Sequence, residues 1–115
     1  LSINEEITEQ DWNKLQESLI DVIYSPNGTE YRINAGALKL AGKSGTAQVV
    51  DINSREEYDE VRTNPLLRDH AIFIGYAPYD NPRYSIAVIV ENGESGGRVA
   101  GPIAKEVLEE LLNGF

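Results

Sequence analysis

Five consecutive residues concentrate the chemical options of this chain. Gly42, Lys43, Ser44, Gly45 and Thr46 set one cation, two hydroxyls and two glycines side by side. Lys43 offers a positive charge to an anionic group. Ser44 and Thr46 offer hydroxyl donors, and alternation along a strand puts both on one face. The same alternation sends Lys43 to the other face, so all three can meet one ligand only at the edge of a sheet. An edge position is therefore expected. Gly45 has no Cβ, which lets a ligand approach the backbone closely and pair with it as an added strand.

Three motifs compete for these residues. A phosphate-binding loop ends in Gly-Lys-Ser/Thr, which Gly42-Lys43-Ser44 fits, but Gly36 lies one residue too far upstream. Such a loop also opens a helix, whereas Gln48-Val49-Val50-Asp51-Ile52 is β-prone. A serine-hydrolase elbow needs Gly-x-Ser-x-Gly, and the spacing around Ser44 does not match. The third option is the Lys-Thr/Ser-Gly strand of penicillin-recognising enzymes. A glycine-containing strand with a chance Lys-Ser pair is the bland alternative, and the tetrapeptide alone leaves both open.

The elements that must position this stretch follow from the pattern. With 115 residues, 41% of them hydrophobic, the chain suits one domain or a large piece of one. Its net charge of -9 repels phosphate backbones and argues against nucleic-acid binding. No apolar run approaches the ~18 residues of a membrane span. Cysteine is absent, which removes disulfides and thiol chemistry. Methionine is also absent, which makes residue 1 an improbable start site, with removal of an initiator methionine as the alternative.

Thr8 followed by Glu9 and Asp11 predicts a helix start, and Trp12, Leu15, Leu19, Val22 and Ile23 form its apolar stripe over about residues 9–23. Ser25-Pro26-Asn27-Gly28 ends it. Asn27-Gly28-Thr29 spells a glycosylation acceptor but reads as a chance match on that turn. An irregular passage leads to a strand over 40–52. The charged stretch from Ser54 to Asp69 reads as a solvated, mobile connection, with at most a helical turn over Glu56–Val61. Strands are expected at 70–77 and 84–91, joined by the turn formers Pro78 to Pro82. The short link makes them antiparallel. The run Ile86 to Val90 suggests a third strand buried on both faces, with helices on both sides of the sheet. A glycine-rich turn precedes a helix over 102–112, with Pro102 in its first turn and Ala104, Val107, Leu108, Leu111 and Leu112 inward. The order is that of an α+β fold: a three-stranded antiparallel meander flanked by helices.

Ser25-Pro26-Asn27-Gly28-Thr29, Ala41-Gly42-Lys43-Ser44-Gly45-Thr46-Ala47-Gln48-Val49, Arg68-Asp69-His70, Gly75 to Pro82 and Ile89-Val90-Glu91-Asn92-Gly93 occur in this order. Together they resemble the C-terminal part of a class B penicillin-binding protein transpeptidase domain, closest to the elongation-specific branch. The resemblance covers nearly the whole chain and is weakest over residues 1–11. It implies a serine acyl-enzyme that cross-links peptidoglycan, with D-Ala-D-Ala stem peptides as donors and β-lactams as mimics, and no cofactor or metal. It implies that Lys43 carries charge and proton traffic, that Lys43, Ser44, Gly45 and Thr46 bind substrate, and that the Thr46 N–H forms part of an oxyanion hole. Ser44 stands where threonine is commoner. The resemblance also implies partners: the N-terminal remainder of the domain, which would supply a strand beside the third one here, and the cell-elongation machinery. The location implied is the periplasm, in a parent protein anchored to the inner membrane.

Two family motifs are missing. None of Ser2, Ser18, Ser25, Ser44, Ser54, Ser85 and Ser95 is followed three positions on by Lys. Ser25-Pro26-Asn27 spells Ser-x-Asn but reads as a turn. Without a nucleophile and base in reach, the isolated chain is expected to be inactive. The competing reading is a non-catalytic binding module that keeps the fold without the active serine. His70, the single histidine, reads as structural, and Tyr76, Tyr79 and Tyr84 read as packing residues around the turn.

Overall fold

A computed structural model describes residues 6–114. Helix α1 runs Glu9–Tyr24, and Thr8 caps it reciprocally: its hydroxyl accepts the Asp11 N–H and the Asp11 carboxylate accepts the Thr8 N–H. Two short 3₁₀ turns, Tyr31–Ile33 and Gly36–Leu38, carry the chain to strand β1, Ala41–Ala47. Helix α2 (Arg55–Thr63) and a 3₁₀ turn (Pro65–Leu67) lead to β2, His70–Ala77, and β3, Tyr84–Val90. A π-helical turn, Gly96–Ala100, runs directly into helix α3, Gly101–Asn113. The strands form one antiparallel sheet in the order β1-β2-β3.

The register decides which residues share a face. Gly42, Ser44 and Thr46 pair with Gly75, Phe73 and Ala71, which pair in turn with Ile86, Val88 and Val90. This is the core face. Phe73, Ala71 and Ala77 are fully buried on it with Ala100, Ala104 and Leu108 from the C-terminal helical run. Lys43 and Gly45 belong to the other face, with Ile72, Ile74, Ala87 and Ile89. Helix α1 lies along one end of that second face, where Leu19 lines a shared groove with Ile74 and Tyr76. It covers only that end: Ile89, farther along the face, is 66% exposed.

Several elements differ from the sequence reading. Strand β1 covers seven residues rather than 40–52. Its register ends at Ala47 opposite His70, where β2 begins, so the β-prone residues 48–52 have no ladder to join. The Val49 N–H instead donates to the Asp69 carboxylate at 3.2 Å. At the other end, Lys39 takes a left-handed conformation, φ 55°, so the extended run cannot start earlier. The segment expected to be a mobile connection contains α2, because Ser54 accepts the Glu57 N–H as a helix cap and Glu56 and Glu57 sit in the first turn. Strand β3 is not buried on both faces; Ser85, Ala87 and Ile89 point outward. In α1, Trp12 and Leu15 are exposed, and in α3 so is Val107, although each falls on its helix's apolar stripe. The last helical run begins at Gly96, with Ser95 accepting the Arg98 N–H, five residues before Gly101.

The lone histidine is a brace. His70 Nδ1 accepts the Asn92 N–H at 2.9 Å, while the Asn92 side chain donates to the carbonyls of Leu66 and Arg68. These bonds tie the end of β3 to the start of β2. At the opposite end of the sheet, Tyr79 packs edge-on against Tyr24 with ring centroids 6.2 Å apart.

Candidate functional site

The site is built on β1, which lies at the edge of the described sheet. Lys43 is exposed and its Nζ donates to the Ser44 carbonyl at 2.7 Å. It extends toward α1 and lines a shallow groove with Ser18, Asp21, Ser25 and Thr29. Ser25 and Asn27 border that groove as parts of a turn: the Ser25 N–H donates to Asp21 O at 3.0 Å, and Ser25 Oγ accepts the Asn27 N–H.

Gly45 is open. A Cβ built on it would meet no atom within 4 Å. The core-face flank of the same residue is closed by Gly96, where a Cβ would lie 2.6 Å from Gly45 O and run into Ile72 O. The glycine of the π-helical turn is therefore what lets that turn rest on the β1 backbone. Thr46 is exposed beside it. The backbone groups of Ser44 and Thr46 point to one flank of the strand and those of Lys43 and Gly45 to the other.

Ser44 is half-buried and has a partner that sequence reasoning missed. Its Oγ donates to Glu30 Oε1. Glu30 is 4% exposed, the single buried charged residue among those described. Its backbone is anchored on both sides: its N–H donates to Val22 O and its carbonyl accepts the Ile33 N–H, each at 2.9 Å. Gly97 presses against its carboxylate, in a position that a Cβ would overlap. Nothing in the residue pattern flags Glu30, an isolated acid 14 positions before its partner.

Behind β1, the residue entering the strand is held by a phenol. Tyr24 Oη accepts the Leu40 N–H at 3.1 Å and donates to Gly36 O at 3.0 Å. Burial pushes the Tyr24 phenol above its ordinary pKa, and burial does the same at Tyr76. Among the described residues, no cluster of His, Asp and Glu is arranged to hold a metal ion.

The structure thus brings Lys43, Ser44, Gly45 and Thr46 together at a free strand edge: a cation, hydroxyls and an open backbone. Such an edge can receive an extended anionic ligand as an added strand. The family profile of the penicillin binding protein transpeptidase domain matches residues 3–109, so the chain belongs to that family. It is 44% identical over 110 residues to the peptidoglycan D,D-transpeptidase MrdA of Acinetobacter baumannii, covering 96% of this chain and 16% of that protein. It is 40% identical over 103 residues to MrdA of Haemophilus influenzae, covering 89% of this chain and 16% of that protein. Among solved structures, Pseudomonas aeruginosa PBP2 in complex with WCK 5153 superposes with a TM-score of 0.73 at 38% identity, over 91% of this chain and 20% of that one. The Helicobacter pylori complex of PBP2 with MreC gives 0.71 at 27% identity, over 96% and 20%. The chain thus spans about a sixth of the length of the curated relatives it matches.

Proposed function

We propose that this segment supplies the ligand-binding strand of a peptidoglycan D,D-transpeptidase whose active serine lies outside these 115 residues. The observation that carries the reading is the edge position of β1, with Gly45 open and with Lys43, Ser44 and Thr46 around it, in a chain of the transpeptidase family. The donor peptide lies along β1. The serine oxygen attacks the carbonyl carbon of the penultimate D-Ala, the peptide bond breaks, and terminal D-Ala leaves with the proton. An amine of a neighbouring stem peptide then attacks the acyl-enzyme, forming the cross-link and releasing the serine. Lys43 supplies positive charge and helps proton movement at the serine. Ser44 and Thr46 receive the donor carboxylate. The Thr46 N–H stabilises charge as it develops on the acyl oxygen. No cofactor takes part.

A β-lactam occupies the same strand and remains as an acyl-enzyme. We place the full-length protein in the periplasm with an inner-membrane anchor and a role in cell elongation, and the complex of a relative with MreC supports an MreC-type protein as a partner. A fluorescent penicillin followed by a denaturing gel tests the reading. The full-length polypeptide is expected to be labelled and the 115-residue chain to stay dark. An unlabelled full-length protein would favour a binding module instead, and a labelled isolated chain would reveal a nucleophile within it.

A further inference from the structure

The bond between Ser44 and Glu30 runs against the role just given to Ser44. A carboxylate ligand needs a proton donor, yet the Ser44 hydroxyl already directs its proton to Glu30 Oε1. A hydroxyl has one proton to donate, so ligand and Glu30 compete for it. We infer that Glu30 is a specificity-determining residue, an internal carboxylate that occupies the Ser44 donor and weakens capture of carboxylate-bearing ligands at β1. This rests on the reading of β1 as the donor strand.

The surroundings make Glu30 a persistent competitor. Its side chain is buried and its main chain is bonded at both N–H and carbonyl. Gly97 closes the space beside its carboxylate. Glu30 lines a cleft of about 600 Å³ together with Arg32, Gly97 and Arg98. A carboxylate displaced from Ser44 would enter that cleft among cations.

Gly97 therefore gives a second route to the same test. A methyl group at position 97 would overlap the end of a flexible side chain rather than backbone. Gly97→Ala should push the Glu30 carboxylate off Ser44 while leaving the strand in place.

The experiment is the second-order rate of acylation of the full-length transpeptidase by benzylpenicillin, which carries a carboxylate. Glu30→Ala and Gly97→Ala are each expected to raise it about two- to tenfold, the range one competing hydrogen bond covers. Glu30→Gln keeps an oxygen that still accepts the Ser44 proton, though more weakly than a carboxylate, and is expected to give a smaller rise. In a Ser44→Ala background the effect of Glu30→Ala should vanish, because the contested proton is gone. A merely structural role would slow all three variants, so a rate increase separates the two. Labelling that is unchanged or slowed by both Glu30→Gln and Gly97→Ala would overturn the inference alone. A wild type that penicillin does not label at all would overturn the donor-strand reading and this inference with it.

Discussion

The phenolic oxygen of Tyr24 accepts the backbone N–H of Leu40 at 3.1 Å and so joins the last turn of α1 to the residue that enters β1. The same oxygen donates to Gly36, so one side chain fixes the approach of the candidate strand from two points. Tyr24→Phe keeps the ring and its contact with Tyr79 but leaves the Leu40 N–H without its partner. We expect a loss of about 1–2 kcal/mol in unfolding free energy, read by urea denaturation. A variant as stable as wild type would mean that water replaces the phenol without penalty. The raised Tyr24 pKa adds a sign: the folded state keeps the neutral phenol, so its contribution is present below the ordinary tyrosine range and is lost as pH rises through the folded value. Tyr24→Phe should narrow the decline in stability at alkaline pH.

Two glycines that differ only in their surroundings separate fold from function. Gly96→Ala would drive a methyl group against backbone atoms of Gly45 and Ile72, neither of which can yield cheaply. It is expected to cost about 3 kcal/mol or more. Gly45→Ala meets empty space and should leave the unfolding midpoint nearly unchanged. In the full-length protein, however, Gly45→Ala should slow penicillin acylation strongly, because the methyl group stands where the ligand's backbone must come. If Gly45→Ala were stable and fully reactive, the ligand would not lie along this side of β1.

Lys39 and Asp80 form an exposed pair, 2.6 Å apart, linking the turn before β1 to the connection between β2 and β3. The hydrogen bond raises the Lys39 pKa and lowers that of Asp80. The Asp80 contribution is present above the ordinary carboxylate range and is lost as pH falls through the lowered folded value. The Lys39 contribution is present below the ordinary lysine range and is lost as pH rises through its raised value. Asp80→Asn should therefore be slightly less stable than wild type at neutral pH and low salt. The gap should close both in strong acid and in high salt. Urea midpoints across pH and salt check this; a gap that persisted in strong acid would place the effect elsewhere.

Much of the scaffold was legible because it depends on short-range pattern. Thr8 and Asp11 announce α1, and the β-branched run of Ile86 to Val90 announces β3, although not that one of its faces is exposed. The edge position of β1 followed from Lys43 and Ser44 having to face opposite ways. What was hidden depends on partners. The β-prone run after Ala47 reads as strand, but β2 starts at His70 and offers it no ladder. The charge of residues 54–69 masked α2, although the Ser54 cap and the following acids were in view. In the site, Lys43 to Thr46 stood out by type and spacing, while Glu30 did not. The placement of that isolated acid beside Ser44 emerges only when the turn after α1 folds back and Gly97 closes over it.

If β1 receives the ligand through Lys43, removing that side chain must slow acylation. The penicillin acylation rate of the full-length transpeptidase carrying Lys43→Ala reads this. Lys43 is exposed and bonds only the neighbouring carbonyl among its described partners, so the variant should fold and unfold as wild type does. A fall in acylation rate of about 100-fold or more is expected with that stability intact. A Lys43→Ala protein acylated at the wild-type rate would contradict ligand capture through Lys43.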